Sequence, residues 1–146
     1  MGRLKEKLAV IFDRAERKDL STDALPWQFV TTQEAALLSE KTGLKIEGGF
    51  THAIAPQQVW HAVKRHGKDG ESFLDYPNQV PLTRDDIAML PELIRPENIV
   101  RGAKSKSHTP LVVYKKITTD GFTLYYEEVR TKRKQLAFKT MYKVKT

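Results

Sequence analysis

Apolar residues near the start of the chain recur at helical spacing, with charged residues between them. The members of this stripe are Leu4, Leu8, Ile11, Phe12 and Ala15. Their spacing predicts an amphipathic helix over residues 3–18. Residues 20–31 lose this period and contain Pro26, so we expect a connector there.

Capping residues, proline and glycine mark three further helices. Thr32 can cap a helix that Gly43 ends. Pro56 stands in the first turn of the next helix, which Gly67 ends. Residues 83–86 resemble a capping box and open a third, shorter helix.

The longest breaks in the pattern suggest how the chain is divided. Residues 68–82 contain several turn-forming residues and predict an ordered loop. Gly48-Gly49 is a stronger interruption, and we place the main domain boundary there. Residues 1–47 are then a helical N-terminal extension, and residues 48–146 form the main domain.

The period changes in the last third of the chain. Residues 111–117, 122–129 and 135–144 are rich in β-branched and aromatic residues and predict three strands. Residues 118–121 form a credible hairpin turn between the first two. We therefore expect an α+β fold in which N-terminal helices precede a small antiparallel sheet.

The last predicted strand alternates between two kinds of side chain. One face carries Leu136, Phe138, Thr140, Tyr142 and Val144, and the other carries Ala137, Lys139, Met141 and Lys143. We expect the first face to pack in the core and the second to be cationic. Further positive charge comes from Lys115 and from the loop residues Arg130, Lys132, Arg133 and Lys134. Such a face can bind a phosphate backbone, although a solvated basic face is the alternative.

Composition agrees with a folded domain that has a polyanionic partner. The chain has 146 residues, 40% of them hydrophobic, and a formal net charge of +7. This charge favours nucleic acid as a partner. There is no cysteine, which excludes disulfides and thiolate metal sites. No signal-peptide core and no apolar run long enough to span a bilayer is present, so we expect no membrane partner and no export by the general route.

Three histidines are the densest group that titrates near neutral pH. His52, His61 and His66 fall within 15 residues, and histidine can both accept and donate a proton at physiological pH. A five-residue step turns a helix by about 500°, so His61 and His66 point roughly 140° apart and are unsuited to a tight pair. His66 shares a stripe with Val59 and Val63 and can equally be a structural residue at the helix end.

The outer face of the same predicted helix is basic. His61 lies there with Lys64 and Arg65, where a solvated histidine is the alternative to a catalytic one. The histidine spacing does not suit zinc, and no phosphate-binding glycine loop or nucleophile elbow is recognisable. We expect neither a metal nor another cofactor.

The order of the motifs resembles a known family. The motifs are residues 51–52 (Thr-His), 59–67 (Val-Trp-His-Ala-Val-Lys-Arg-His-Gly), 80–87 (Val-Pro-Leu-Thr-Arg-Asp-Asp-Ile), 90–94 (Leu-Pro-Glu-Leu-Ile), 112–116 (Val-Val-Tyr-Lys-Lys), 126–130 (Tyr-Glu-Glu-Val-Arg) and 136–143 (Leu-Ala-Phe-Lys-Thr-Met-Tyr-Lys). The series resembles the phage barnase/EndoU/colicin/RelE-like nuclease domain found at the C-terminus of head-morphogenesis proteins of Mu-like phages. It covers residues 50–143.

The resemblance implies a barnase/RelE-like fold and metal-independent RNA cleavage. Carried over by position, the family's helix histidines fall on His61 and His66, and its last-strand polar positions fall on Lys139, Thr140 and Tyr142. We expect a helix histidine to act as acid or base, Lys139 or a loop arginine to neutralise the phosphate, and Thr140 or Tyr142 to orient it.

Two classes of function follow from these observations. The first is a toxin-like endoribonuclease of phage or prophage origin that cleaves RNA, tRNA among the candidates, by 2′-OH transesterification. The second is a noncatalytic nucleic-acid-binding or virion-packing module. An immunity or inhibitor protein, or phage head proteins, are further expected partners, and the expected location is the bacterial cytoplasm or the virion.

Overall fold

A computed structural model describes residues 2–19, 21–66 and 79–145. Its helices are α1 (Gly2–Glu16), α2 (Thr32–Thr42), α3 (Pro56–His66), α4 (Arg84–Ala88) and α5 (Leu90–Leu93), with a 3₁₀ turn at Pro96–Asn98. Its strands are β1 (Leu25–Phe29), β2 (Thr51–Ile54), β3 (Gln79–Val80), β4 (Ile99–Lys104), β5 (Pro110–Thr118), β6 (Gly121–Arg130) and β7 (Gln135–Lys145).

These strands form one mixed sheet, and the predicted α+β class is confirmed. The strand order is β1-β2-β7-β6-β5-β4, and β3 pairs with β7 outside this path. The three predicted strands are β5, β6 and β7, which pair antiparallel. The prediction of a small, wholly antiparallel sheet is corrected in one respect, because β2 runs parallel to β7. The four residues of β2 are too few to show a strand period in the sequence.

The residues that begin and end α2 in the structure lie at or beside the predicted positions. Thr31, one residue before the predicted cap, accepts a hydrogen bond from the Glu34 N–H at 3.0 Å. Gly43 ends α2 in the left-handed conformation at φ 73°, which favours glycine. Gly121 opens β6 where an added Cβ would collide with the Val144 carbonyl of β7, so the close approach of these two strands requires glycine there.

The core joins the helices before Gly48 to the sheet after it. Leu8, Phe12, Trp27 and Leu38 are buried in the same apolar cluster as Phe138. The helix face predicted over residues 3–18 therefore packs into the core rather than lying apart from it.

Hydrogen bonds and ion pairs also link the residues before the predicted boundary at Gly48-Gly49 to those after it. β1 pairs antiparallel with β2, with Phe29 opposite Thr51, and the Val30 N–H donates to the Phe50 carbonyl at 2.8 Å. A bidentate ion pair between Asp13 and Arg84 fastens α1 to α4. The structure does not separate at Gly48, because residues on both sides build one sheet and one core.

A β-bulge interrupts the pairing of β6 with β7. Glu127 lies opposite Phe138, and the preceding residue Tyr126 lies opposite Thr140, so Lys139 is the extra residue. Because a single extra residue exchanges the two faces of a strand, the side chains after Lys139 change sides. Met141 is buried with 2% of its surface exposed.

The predicted faces of the last strand are therefore wrong beyond Phe138. Met141 joins the core, whereas Thr140 and Tyr142 lie on the opposite face and are half-buried. The alternation that we assumed is broken by the bulge, which has no clear signature in the sequence.

Candidate functional site

The side of the sheet that carries Thr140 and Tyr142 also carries Arg130, so three predicted site residues share one surface. We call it the outer face, and it consists of Leu124, Tyr126, Glu128 and Arg130 of β6 with Thr140 and Tyr142 of β7. All six side chains are half-buried, whereas the residues between them on β6 are buried. The rings of Tyr126 and Tyr142 stack with centroids 6.3 Å apart and planes 20° apart.

Three basic residues lie on or next to this part of the sheet. Arg130 donates to Glu128 at 2.9 Å, so part of its charge is balanced on the same face. Lys115 lies opposite Leu124 in the register and places its ammonium 4.4 Å from the Phe122 ring centroid. Lys139 is half-buried at the bulge.

The turn between β6 and β7 extends this positive charge. Lys132, Arg133 and Lys134, which we call the cationic turn, are all exposed. Lys134 has a φ of 52°, which fixes the shape of the turn, and its carbonyl accepts a hydrogen bond from the Thr51 N–H at 3.0 Å. The cationic turn is therefore anchored to β2 while its side chains face solvent.

The other predicted site residues lie on α3, which packs along β7 and α1. His61 is exposed, and its ring meets Trp60 edge-on with centroids 5.2 Å apart. Lys64 places its ammonium 5.0 Å from the Trp60 ring centroid. The side chains of Arg65 and His66, both predicted site residues, lie outside the described part of the structure.

Lys64 also lines a groove of ≈ 680 Å³ between α1, α3 and α4. Asp13 and Glu16 line the same groove. Lys18 and Arg84 line it too, and Arg84 pairs with Asp13, so the charges of this groove largely balance. The structure therefore places Thr140, Tyr142, Arg130 and Lys115 on one face, with Lys139 at the bulge in the same strand as Thr140. It leaves His61 and Lys64 on a separate helix.

Sequence analysis missed a polar cluster inside the core. The buried network consists of Glu34 on α2, His52 on β2, Tyr114 on β5, and Tyr125 and Glu127 on β6. His52 donates from Nδ1 to Glu127 Oε2 at 2.7 Å and from Nε2 to Glu34 Oε2 at 2.8 Å. The hydroxyls of Tyr114 and Tyr125 donate to Glu127 at 2.7 and 3.1 Å.

Burial and the two carboxylates together set the charge states of this network. His52, Tyr114, Tyr125 and Glu127 have no exposed surface. Burial alone disfavours a charged imidazole, but Glu127 and Glu34 outweigh it and raise the pKa of His52 to about 9. Burial, reinforced by the Glu127 charge, raises the pKa of both tyrosines well above the usual value, so they remain neutral donors.

Two sequence signals pointed toward the network. Glu34 occupies the third position of α2, where a carboxylate normally caps the helix, but its side chain turns to His52 instead. Glu127 lies in phase with Tyr125 and Val129, which are core positions in an alternating strand. A carboxylate at such a position needs buried partners.

Two further observations concern metal ions and membranes. Within residues 2–19, 21–66 and 79–145, no three His, Cys, Asp or Glu side chains are grouped so that they could hold a metal ion. In the same described ranges, no helix has the length and apolar content required to cross a membrane.

Comparison with known proteins supplies the family. The family model described as phage-Barnase-EndoU-ColicinE5/D-RelE like nuclease3 matches residues 28–146. The match begins in β1, before the boundary predicted at Gly48. No curated protein and no solved structure gives a match. The matched region contains the sheet, α2 to α5, the outer face and the buried network, and the chain is therefore a member of the phage-Barnase-EndoU-ColicinE5/D-RelE like nuclease3 family.

Proposed function

We propose that this domain is a metal-independent endoribonuclease of the toxin-like, phage or prophage type, and that the outer face binds the scissile phosphate. The observation that carries the proposal is the bulge at Lys139. It brings Thr140 and Tyr142 to the same face as Tyr126 and Arg130. A phosphodiester bound there would meet cations and hydroxyl donors together, which is what stabilisation of a phosphorane-like transition state requires.

The reaction would proceed through the RNA's own 2′-hydroxyl. A base removes the 2′-OH proton, O2′ attacks phosphorus, and the bond from phosphorus to O5′ breaks while an acid protonates O5′. The products are a 2′,3′-cyclic phosphate and a 5′-hydroxyl. We assign charge neutralisation to Lys139 and Arg130, and orientation of the phosphate to Thr140 and Tyr142. His61 and His66 on α3 are the proton-transfer residues that the family resemblance implies. Because His61 lies on a helix apart from the outer face, their assignment rests on the resemblance alone.

Electrostatic attraction of RNA is assigned to the exposed cations. Lys132, Arg133 and Lys134 lead from solvent to the end of the outer face. Lys115, Lys64 and Arg65 are secondary contacts in this proposal. An immunity or inhibitor protein would compete for the same charged surface, and the host cytoplasm or the virion is the proposed location.

The second candidate is a noncatalytic nucleic-acid-binding or virion-packing module. The cationic turn supports this function as well as it supports catalysis, because its three basic side chains are exposed and can contact a phosphate backbone whether or not RNA is cut. The two functions differ in whether RNA is cut.

Cleavage assays separate the two functions. Purified protein is incubated with total RNA and with tRNA in EDTA, beside the double variant His61→Ala/His66→Ala, and new 3′ ends are tested for cyclic phosphate. His108→Asn is the matched control, since His108 is exposed and its φ of 65° suits asparagine. Cleavage that persists in EDTA and in the control but disappears in the double variant supports the nuclease. RNA binding without cleavage supports the packing module.

A further inference from the structure

The buried network lies directly beside the bulge that shapes the outer face. Glu127 is the first β6 residue after the interruption and pairs with Phe138, the β7 residue just before the extra residue. The next pair is Tyr126 with Thr140, and Lys139 lies between the two pairs. The position of the Glu127 backbone therefore sets where the extra residue begins.

Directional bonds hold Glu127 from several strands at once. Its carboxylate accepts from His52 on β2, from Tyr114 on β5 and from Tyr125 on β6. Taking an ion out of water costs several kcal/mol, so such a group adds little net stability compared with apolar packing. What it can add is a unique geometry, because each hydrogen bond restricts both distance and angle.

We propose that His52 and Glu127 are positioning residues for the outer face: the buried network fixes the bulge, and loss of the His52 charge lowers turnover without weakening RNA binding. This inference rests on the proposed nuclease function. The two residues touch no part of the outer face with their side chains, because those side chains meet each other on the opposite, buried side of the sheet. They act through the backbone of β6 and β7.

The charge of His52 is controlled by a small set of groups. In the described part of the chain, Glu34 approaches it from α2 and Glu127 from β6, and both raise its pKa. Tyr114 and Tyr125 reach it indirectly through Glu127. Trp27 of β1 packs against its ring, with centroids 5.4 Å apart, and carries no charge.

Glu34→Gln is the sharpest perturbation, because Glu34 touches His52 but lies on α2 rather than on the sheet. The amide oxygen of glutamine can still accept from Nε2, whereas the attraction of the carboxylate is lost, so the pKa of His52 should fall. Glu40→Gln is the matched control, since Glu40 is exposed on the same helix and loses the same charge.

The experiment measures kcat and KM for RNA cleavage across the alkaline range, together with the NMR titration of His52. The alkaline fall in kcat that comes from deprotonation of the proton-donating histidine is common to all these variants. For the wild type, a further decline in kcat should follow the midpoint of His52, at about 9. In Glu34→Gln both midpoints should move together to lower pH, while Glu40→Gln leaves both in place. Glu127→Gln should lower kcat by about tenfold to a hundredfold, in line with small displacements of catalytic groups, with KM within about twofold.

Several outcomes would overturn the inference. The inference fails if the further decline in kcat is absent, or if it stays in place when the His52 midpoint moves. A loss in Glu127→Gln confined to KM would also overturn it. If Glu127→Gln does not fold, Tyr125→Phe is measured in its place. This variant removes one hydrogen-bond donor to Glu127 and leaves every charge in the network. An unchanged kcat in Tyr125→Phe would count against the inference.

A separate measurement distinguishes this inference from the proposed function. If the wild type cuts no RNA, the nuclease proposal fails, but the backbone amide signals of Lys139 and Thr140 still test positioning. They should titrate with the His52 midpoint and follow it in Glu34→Gln. Amide signals that ignore the His52 titration would show that the network does not fix the bulge.

Discussion

The free energy of unfolding should depend on pH through His52. The pKa of this side chain is about 9 in the folded chain against 6.5 for an ordinary histidine, a difference equivalent to about 3 kcal/mol of stability. Because the folded state binds the proton more tightly, this stabilisation is fully present below pH 6.5 and is lost as the pH rises through about 9. For a domain whose total stability is typically about 5–15 kcal/mol, the loss is substantial.

Urea unfolding, followed by tryptophan fluorescence between about pH 6 and about pH 9.5, measures this effect. Trp27 packs against the His52 ring and so reports the state of the core around it. His61→Gln is the control, since His61 is exposed and the variant should keep the full pH dependence. His52→Gln should be less stable at neutral pH and should lose most of the dependence. A flat profile in the wild type, or an equally steep one in His52→Gln, would refute the assignment of a buried imidazolium.

Three further predictions concern folding, binding and catalysis. A fragment beginning at Gly48 should melt without cooperativity, because it lacks β1, Glu34 and the apolar face of α1. The domain boundary expected from the sequence predicts the opposite, so a cooperative melt would support that boundary. Replacing Lys132, Arg133 and Lys134 with neutral residues should leave the fold intact and weaken the salt dependence of RNA binding. The slope of log affinity against log salt should become less negative by up to about 2, because each phosphate contact with a single strand contributes roughly 0.7. An unchanged slope would show that the RNA binds elsewhere. His61→Ala and Lys139→Ala should each reduce cleavage by about a hundredfold with stability changed by no more than about 0.5 kcal/mol. His66→Ala should reduce both cleavage and the melting temperature. If instead His61→Ala keeps full activity and His66→Ala is inactive at an unchanged melting temperature, His66 is the proton-transfer residue.

The elements that the sequence predicted well have strong local causes. Gly43 and the capping box at Thr83 and Asp86 each satisfy a backbone requirement within a few residues. The alternation of β6 extends over ten residues and is buried at every second position. A requirement that is met within one turn or one strand can be recognised without knowledge of the fold.

The features that escaped prediction depend on distant pairing. β1 and β2 are short strands whose partners are chosen by the rest of the sheet. The bulge at Lys139 is a shift of register against β6, and nothing in residues 135–144 requires it. Glu34 and Glu127 are 93 positions apart in the sequence yet meet at one imidazole. The sequence groups His52 with His61, but the degree of burial that separates the two is decided by tertiary packing.

The sharing of one imidazole by two carboxylates affects how this protein can change over evolutionary time. Removal of one partner from a buried ion pair typically costs about 3–5 kcal/mol, whereas replacement of the whole set by apolar residues is often neutral. Substitutions at Glu34, His52 and Glu127 are therefore strongly non-additive, since the first substitution carries most of the cost. A lineage that has acquired the network would have to pass through destabilised intermediates to lose it, so the three positions should be inherited and replaced together.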